Sequence, residues 1–158
     1  MKIFLKAIIF VLSVSILFGC HGNSSNNQKS QNERNIAKLS KNLSKHRVRV
    51  FRDTNSITLK LSNRNIFTNN SANFIGGAYS ALDLIVGLAS YYEKSSISVT
   101  SYSKGSYDYN FGKALAMERA RKIARYLWES GVDANFVYAD GKLALADRTL
   151  IVISNIRE

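Results

Sequence analysis

The sequence predicts an α/β fold, a two-layer sandwich in which two helices pack on one face of a mixed sheet in the order β-β-α-β-α-β-β. Short segments that alternate apolar and polar residues predict the strands, and longer segments with apolar residues three and four apart predict the helices. The chain contains no proline that would interrupt these elements. Because the elements lie between residues 46 and 158, a length typical of one small domain, we expect a single hydrophobic core.

The first half of this region predicts a hairpin followed by a helix. Residues 47–51 and 57–61 alternate as half-buried strands do, and Asp53-Thr54-Asn55 between them is typical of a hairpin turn. After a polar stretch, a helix is predicted from about Phe74 to Tyr92. The stripe expected to face the sheet consists of Ala78, Leu82, Ile85, Ala89 and Tyr92.

The second half predicts a strand, a polar turn, a helix and two closing strands. Residues 96–99 alternate, and residues 103–106 have turn chemistry. The helix is predicted from about Phe111 to Ser130. Its apolar face comprises Leu115, Ala116, Ala120, Ile123, Ala124 and Leu127, and its charged face comprises Arg119, Arg121, Lys122 and Arg125. Asp140-Gly141 is predicted as the turn between strands at 135–139 and 149–153.

The N-terminal residues have the pattern of an export signal. Two lysines flank the apolar run 7–18, which is shorter than a membrane span and fits the core of a signal peptide. The run ends in Leu17-Phe18-Gly19-Cys20, which resembles the processing site of a bacterial lipoprotein. We therefore expect residues 1–19 to be removed and Cys20, the only cysteine, to carry a lipid such as palmitate. The alternative is an ordinary signal sequence followed by an incidental free thiol.

Residues 20–45 are predicted to form a disordered polar tether behind the lipid. Residues 21–33 are rich in Asn, Ser and Gln and have no apolar side chain to bury. Helical spacing of apolar residues then allows a short helix over residues 35–44. The residues in question are Ile36, Leu39 and Leu43. This segment is either a solvated tether or a segment that folds on a partner, and the sequence leaves both open.

The charge of the chain is strongly positive. The formal net charge is +11, and removing residues 1–19, which hold two lysines and no acid, leaves +9. Such a charge is typical of proteins that bind nucleic acid or anionic surfaces. An exported protein does not meet nucleic acid, so phospholipid head groups, peptidoglycan and acidic proteins are the expected partners. By resemblance to other lipoproteins, His21 after the cysteine implies the outer membrane, with the domain facing the periplasm.

No arrangement of residues indicates an enzyme, a metal site or a cofactor site. The two histidines, His21 and His46, lie in the predicted tether and at the domain edge. Serine and aspartate do not make a catalytic triad without a histidine between them. Metal-ligand spacings, phosphate-binding loops and nucleophile elbows are not found in the sequence. We therefore expect a binding or structural protein without a metal or cofactor.

The region from Arg47 to Glu158 resembles the OmpA-like C-terminal domain, the periplasmic module that binds peptidoglycan. The second helix carries Leu115, Arg119 and Ala120 in register with the Leu-Ser-x-x-Arg-Ala motif of that family. Further matches are the opening hairpin, Ile66-Phe67 followed by Asn70-Ser71-Ala72, and Asp147-Arg148-Thr149-Leu150 in place of the closing Asn-Arg-Arg-Val. The resemblance implies the same fold and a ligand in the cell wall.

The resemblance also implies a site for the zwitterionic end of diaminopimelate in the peptide stem. In the family, a turn aspartate takes the ammonium group and the helix arginine binds the carboxylate in a fork. Here Arg119 matches the arginine, and Arg148 is a further implied contact. Lys104 stands in place of the aspartate. Arg119 is therefore either a ligand contact or a helix residue that stabilises the fold, and Lys104 is either a new anion contact or a solvated turn lysine.

The residues around the turn offer two further candidates. Tyr102, Tyr107 and Tyr109 form either a partner-binding surface or a set of packing contacts. Asp108 could replace the missing carboxylate, but we expect Asp108 or Asn110 to cap the helix instead.

Together these features predict an outer-membrane lipoprotein that acts as a structural subunit of a cell-envelope assembly through a degenerate OmpA-like domain. The plan of short lipoprotein, basic tether and divergent domain is similar to that of the OmpA-like lipoproteins of Dot/Icm type IVB secretion core complexes. The alternative is a peptidoglycan-binding module that anchors the outer membrane to the cell wall. Lys104 favours the structural role, whereas Arg119 favours wall binding.

Overall fold

The computed structural model describes residues 24–92, 95–104 and 108–155. The helices are α1 (Ser24–Lys45), α2 (Ala78–Ala89) and α3 (Tyr109–Glu129), and the strands are β1 (Arg49–Arg52), β2 (Ser56–Ser62), β3 (Ser95–Ser103), β4 (Ala134–Leu143) and β5 (Arg148–Asn155). In this described part, no helix is long and apolar enough to cross a membrane. The predicted signal peptide and Cys20 lie outside the described residues, so both stay predictions.

The five strands form one mixed sheet in the order β1-β2-β5-β3-β4. β3 and β4 are parallel, as the helix between them requires, and the other neighbours are antiparallel. The register places Ile57 opposite Ile153, and Ile153 opposite Ile97, so the core residues form continuous rows across the strands. The predicted two-layer α/β sandwich is confirmed, and the opening hairpin is confirmed with it.

One face of the sheet is buried under helices, and the opposite face is called the open face below. In β3 the odd-numbered residues from 95 to 103 are buried, and the residues between them are half-buried. β2 and β5 alternate in the same way. Helices α2 and α3 add residues such as Leu82 and Ile123 to the same core. This period of two is expected for a sheet that helices cover on one face only.

Helix α1 forms part of this core, which differs from the predicted disordered tether up to residue 45. Residues 35–158 make one compact unit. Ile36 and Leu43 are 6% and 0% exposed. Leu39 lies beside Gly87 of α2, with its Cδ2 3.9 Å from the place of a Cβ on that glycine. Residues 35–45 therefore pack against the rest of the same chain, and the domain begins near residue 35, not residue 46. Because the buried core residues described by the structure all lie within this unit, we expect the unit to fold alone.

The C-terminus of α1 is closed by a Schellman motif. The Val48 N–H donates to the carbonyl of Leu43 (3.1 Å), and the Arg47 N–H donates to the carbonyl of Ser44 (3.0 Å). Arg47 occupies the left-handed position of the motif, with φ at 61°. Glycine is usual at that position, and a residue with a Cβ is strained there by about 1 kcal/mol.

Strand β4 runs straight through Asp140-Gly141, so the turn predicted there is wrong. The glycine is required for a different reason. A Cβ on Gly141 would clash with the backbone nitrogen of Met117 in α3 and would lie 2.5 Å from its Cα. Because the helix backbone passes this close to the strand, only glycine fits at position 141.

Helix α3 is close to its predicted extent, whereas α2 is shorter than the predicted 74–92. Gly76 and Gly77 precede its first turn, and Ser90 is its C-cap. At the start of α3, the Asp108 Oδ1 accepts hydrogen bonds from the N–H groups of Asn110 (2.7 Å) and Phe111 (3.4 Å). The predicted helix-capping role of Asp108 is confirmed.

Candidate functional site

A buried polar network joins three chain segments beside the candidate site. Asn63 follows β2, Ser101 lies near the end of β3, and Thr149 lies at the start of β5; all three are buried. The Asn63 Nδ2 donates to the carbonyl of Tyr102 (2.9 Å), and the Thr149 Oγ1 lies 2.7 Å from Asn63 Oδ1 and 3.0 Å from Ser101 Oγ. Because buried polar groups are stable only when paired, these contacts hold the three strand ends in one arrangement.

Replacing Thr149 with valine is expected to lower the free energy of unfolding by about 2 kcal/mol, because Asn63 Oδ1 and Ser101 Oγ each lose a buried partner. Urea unfolding of residues 35–158 measures the change. The matched control is Thr58→Val, at a half-buried position on the open face of β2, with an expected change within about 0.5 kcal/mol. Equal losses in the two variants would contradict a stabilising role for the network.

Arg119 lies on the buried side of α3, not on the charged face where the sequence placed it. Its side chain is 4% exposed. Its Nε donates to the carbonyl of Ser71 (2.9 Å), and its guanidinium carbon lies 5.3 Å from the centre of the Phe67 ring. The Nη1 is buried and has no hydrogen-bond partner among the described residues. Arg119 therefore holds a charge inside the protein with donor capacity left over.

The pKa of Arg119 reflects two opposed effects. Burial lowers the pKa of its guanidinium below the usual value, and the negative charge of Asp147 raises it in part. An arginine stays protonated at neutral pH in spite of such a shift. Asp147 is thus close enough to act on Arg119, although the direct salt bridges in the described part of the chain do not include this pair.

Asp147 is the site residue that sequence reasoning missed. It is exposed and directly precedes β5, and its Oδ1 accepts the backbone N–H of Lys104 (2.8 Å). The antiparallel register pairs Arg148 with Tyr102, which brings residue 147 beside the end of β3. A carboxylate therefore stands in the site although position 104 itself is a lysine. The available signal was the match of residue 147 to the first position of the closing family motif.

The structure separates Arg148 from Arg119. Residues 149, 151 and 153 of β5 are buried under the helices, so Arg148 lies on the open face. Its guanidinium carbon is 4.9 Å from the centre of the Tyr102 ring, and its Nε is buried with no partner among the described residues. Arg148 and Tyr102 therefore form a separate cluster on the other side of the sheet.

The other predicted site residues are more dispersed. The Lys104 side chain is exposed, and its backbone N–H makes the contact with Asp147. Tyr109 is exposed at the first position of α3, whereas Tyr102 is half-buried on the open face. Tyr107 lies outside the described residues. The predicted tyrosine surface is thus divided between the helix and the sheet.

Aromatic rings support the loop that carries the Ser71 carbonyl. The Phe67 and Phe74 rings stack with centres 5.4 Å apart, and the Tyr126 ring meets Phe74 edge-on at 6.0 Å. The Lys122 Nζ donates to the Asn73 Oδ1 at 3.1 Å. The Tyr126 hydroxyl donates to Asp83, and this hydrogen bond raises the pKa of Tyr126. These contacts join the loop to α2 and α3 and so fix the carbonyl that holds Arg119.

The arrangement is suited to a zwitterionic ligand, which carries a carboxylate and an ammonium group. The Nη1 of Arg119, unpaired among the described residues, can donate to a carboxylate, and the exposed carboxylate of Asp147 can accept from an ammonium group. Both side chains are held by neighbouring backbone, through Ser71 and Lys104.

Solved structures with the same fold come from several bacterial envelope proteins. A MotB-like protein from Desulfovibrio vulgaris is 13% identical, with a TM-score of 0.66 over 82% of this chain and 96% of that chain. The cell wall anchor of the T6SS from Pseudomonas aeruginosa is 17% identical, with a TM-score of 0.66 over 77% of this chain and 97% of that chain. The OmpA-like domain of FopA1 from Francisella tularensis is 16% identical, with a TM-score of 0.54 over 68% and 79% of the two chains.

The chain has the fold of MotB-like and OmpA-like domains. The identities are low, so the likeness establishes the fold alone. No protein-family model matches the sequence, and no curated protein matches it significantly.

Proposed function

We propose that the domain binds the peptide stem of peptidoglycan through Arg119 and Asp147 and so anchors an envelope component to the cell wall. The observation that carries this proposal is the buried Nη1 of Arg119, which lacks an acceptor among the described residues. A buried charge without full pairing costs several kcal/mol. An arginine buried in this way favours an acceptor that comes from a ligand, and a stem carboxylate has the matching planar geometry.

The carboxylate of Asp147 supports the same zwitterionic ligand, because it can accept from the ammonium group of that ligand. The lysine at position 104 argues against wall binding, because its positive charge would repel the ammonium of diaminopimelate. The carboxylate of Asp147 accepts the backbone N–H of Lys104 and so lies beside that same residue. The ammonium therefore has an acceptor beside Arg119, and the reversal at position 104 is compensated from the start of β5.

The fold and the sequence extend the proposal to the location of the protein. One structure with this fold is the cell wall anchor of the T6SS, which supports wall attachment by such a domain. The pattern that ends at Cys20 supports a lipid anchor in the outer membrane, with the domain in the periplasm. In this proposal the lipid holds one end of the protein and the peptidoglycan stem holds the other.

A structural role in an envelope assembly, such as a type IV secretion core complex, is the second candidate. The observation that favours it is a pair of exposed aromatic residues on the open face of β4. Phe136 and Tyr138 are 52% and 58% exposed, and their rings stack with centres 6.0 Å apart. Exposed aromatic pairs of this kind are enriched at protein interfaces. This pair replaces the predicted tyrosine surface as the candidate contact with a protein partner.

Co-sedimentation of residues 35–158 with purified peptidoglycan sacculi tests wall binding. The Asp147→Asn variant is expected to weaken binding about tenfold, because one charge-assisted hydrogen bond of roughly 1.5 kcal/mol is lost. The Arg119→Ala variant is expected to weaken it at least about thirtyfold, because truncating one partner of a buried charge pair costs 2 kcal/mol or more, to order of magnitude. The matched control is Arg125→Ala, at an exposed position of the same helix, and binding should persist.

The outcome separates the two candidates. Wild-type protein that stays in the supernatant at every concentration would contradict wall binding and leave the structural role. In that case Lys104→Asp, which places an aspartate where the OmpA-like family has one, is the informative variant. Gain of sedimentation in Lys104→Asp would show that the pocket is formed but lacks sufficient negative charge.

A further inference from the structure

A groove with a cavity of about 900 Å³ lies where β1 and β2 meet the C-terminus of α1. Its lining includes the cationic residues Arg47, Arg49, Lys60, Arg64 and Arg148, which together are called the cationic groove. Asp147 is the one carboxylate that lines the same cavity, and it already accepts the N–H of Lys104. The ion pairs Arg121–Glu118 and Lys142–Asp140 of the described residues do not involve the five cations. The groove therefore holds five cations and one carboxylate, an excess of positive charge.

The sheet register places two of these cations against each other. Arg49 of β1 and Lys60 of β2 are direct cross-strand partners, so their side chains emerge on the same face. Arg148 of β5 lies on this face too, opposite Ser62 of β2. Like charges directly opposite each other destabilise a sheet. An anion bound between these cations would relieve the repulsion.

Two further features of the groove are the strained backbone of Arg47 and a buried donor of Arg148. Arg47 occupies the left-handed position of the Schellman motif, where glycine would relieve the strain. The Nε of Arg148 is buried with no partner among the described residues. Proximity to the C-terminus of α1 favours a cation at Arg47, but it does not account for Arg49, Lys60 or Arg148. Backbone strain and a buried unsatisfied donor are both features that cluster at ligand sites.

We propose that the cationic groove binds the phosphate of an anionic phospholipid head group and so holds the domain against a membrane surface. A phosphate accepts from several cationic donors at once, and arginine matches its geometry in a fork. Phe51 lines the groove and is 53% exposed, which places an aromatic ring beside the cations as membrane-surface sites do. The predicted lipid at Cys20 would keep the domain within reach of head groups. The groove shares Asp147 with the wall-binding site, but none of its five cations takes part in that site, so the two proposals are tested by different substitutions.

Vesicle co-sedimentation of residues 35–158 tests the proposal, with phosphatidylglycerol–phosphatidylcholine vesicles against phosphatidylcholine alone. Binding is expected only with phosphatidylglycerol. The double variant Arg49→Gln/Lys60→Gln is expected to bind about thirtyfold more weakly, because each cation at an anionic membrane surface contributes about fivefold. The matched control is Arg125→Gln/Lys113→Gln, which removes the same two charges from exposed positions of α3 and should retain most of the binding. Arg119→Ala should bind vesicles as the wild type does.

Arg47→Gly separates binding from folding. This substitution removes a groove cation and relieves the left-handed strain, so the melting temperature is expected to stay equal or rise while vesicle binding falls about fivefold. Equal losses in the groove variant and the α3 control would overturn the proposal in favour of general charge attraction. Binding of free inorganic phosphate without vesicle binding would overturn the membrane assignment, as would capture of poly-glutamate but not of vesicles.

Discussion

Replacing Leu43 with alanine is expected to lower the free energy of unfolding of residues 35–158 by about 3 kcal/mol. Leu43 is fully buried and belongs to the same core as Ile36 and Val48. Removal of its isobutyl group leaves a cavity between α1 and the rest of the domain, because the neighbouring residues are held by the sheet and by α2. Chemical unfolding followed by circular dichroism measures the change.

The matched control for this substitution is Leu145→Ala. Leu145 is 95% exposed, so the same chemical change is expected to alter the free energy of unfolding by no more than about 0.5 kcal/mol. A chain that begins at His46 should unfold without a cooperative transition, because it lacks Ile36, Leu39 and Leu43 together. Cooperative unfolding of that shorter chain at wild-type stability would show that α1 is not part of the domain.

Gly141→Ala is expected to destabilise the domain by about 3 kcal/mol and to lower its melting temperature by roughly 10 °C. The added methyl group would overlap the backbone of Met117, and a helix backbone cannot turn aside as a side chain can. Either α3 or β4 must move, and α3 carries Arg119. Thermal unfolding measures the stability, and sacculus binding of the same variant is expected to fall with it.

Gly77→Ala serves as the control for this glycine. No atom lies within 4 Å of a Cβ at position 77, and its φ of −74° suits any residue. Its stability should therefore change by no more than about 0.5 kcal/mol, since alanine restricts the unfolded chain but is less favourable than glycine at the N-cap of α2. Because the clash at position 141 involves backbone atoms, a second substitution of Met117→Ala is not expected to rescue Gly141→Ala. Rescue would show that the Met117 side chain, and not the helix backbone, limits the space.

Local sequence predicted most of the elements, because each buried face repeats along its own segment. The alternation at 57–61 and 96–99 predicted β2 and β3, and the spacing of Leu82 and Ile85 predicted α2. Helical spacing also identified the segment around Ile36 and Leu43. It did not reveal that this segment covers its own domain, because polar residues before it resemble a linker and its apolar partners lie elsewhere in the chain.

The prediction of a turn at Asp140-Gly141 was wrong. The same dipeptide is the commonest hairpin signal and also an ordinary part of a strand that must accept a close neighbour. The two cases differ only in what lies beside the glycine, and here that neighbour is α3. A strand interrupted at residue 140 would have lost the pairing of Gly141 with Ser101 and of Lys142 with Tyr102.

Local patterns predicted most of the strands and helices, the cap at the start of α3 and the excess of positive charge, since these depend on residues a few positions apart. The tertiary structure decided which charges meet. Strand pairing brought Asp147 to Lys104 and set Arg49 opposite Lys60, and packing of α3 buried Arg119 beside Ser71. Because side chains alternate along β5, Arg148 lies on the opposite face of the sheet from Thr149. Such contacts join residues far apart in the chain, and their register is set by the sheet and its core as a whole.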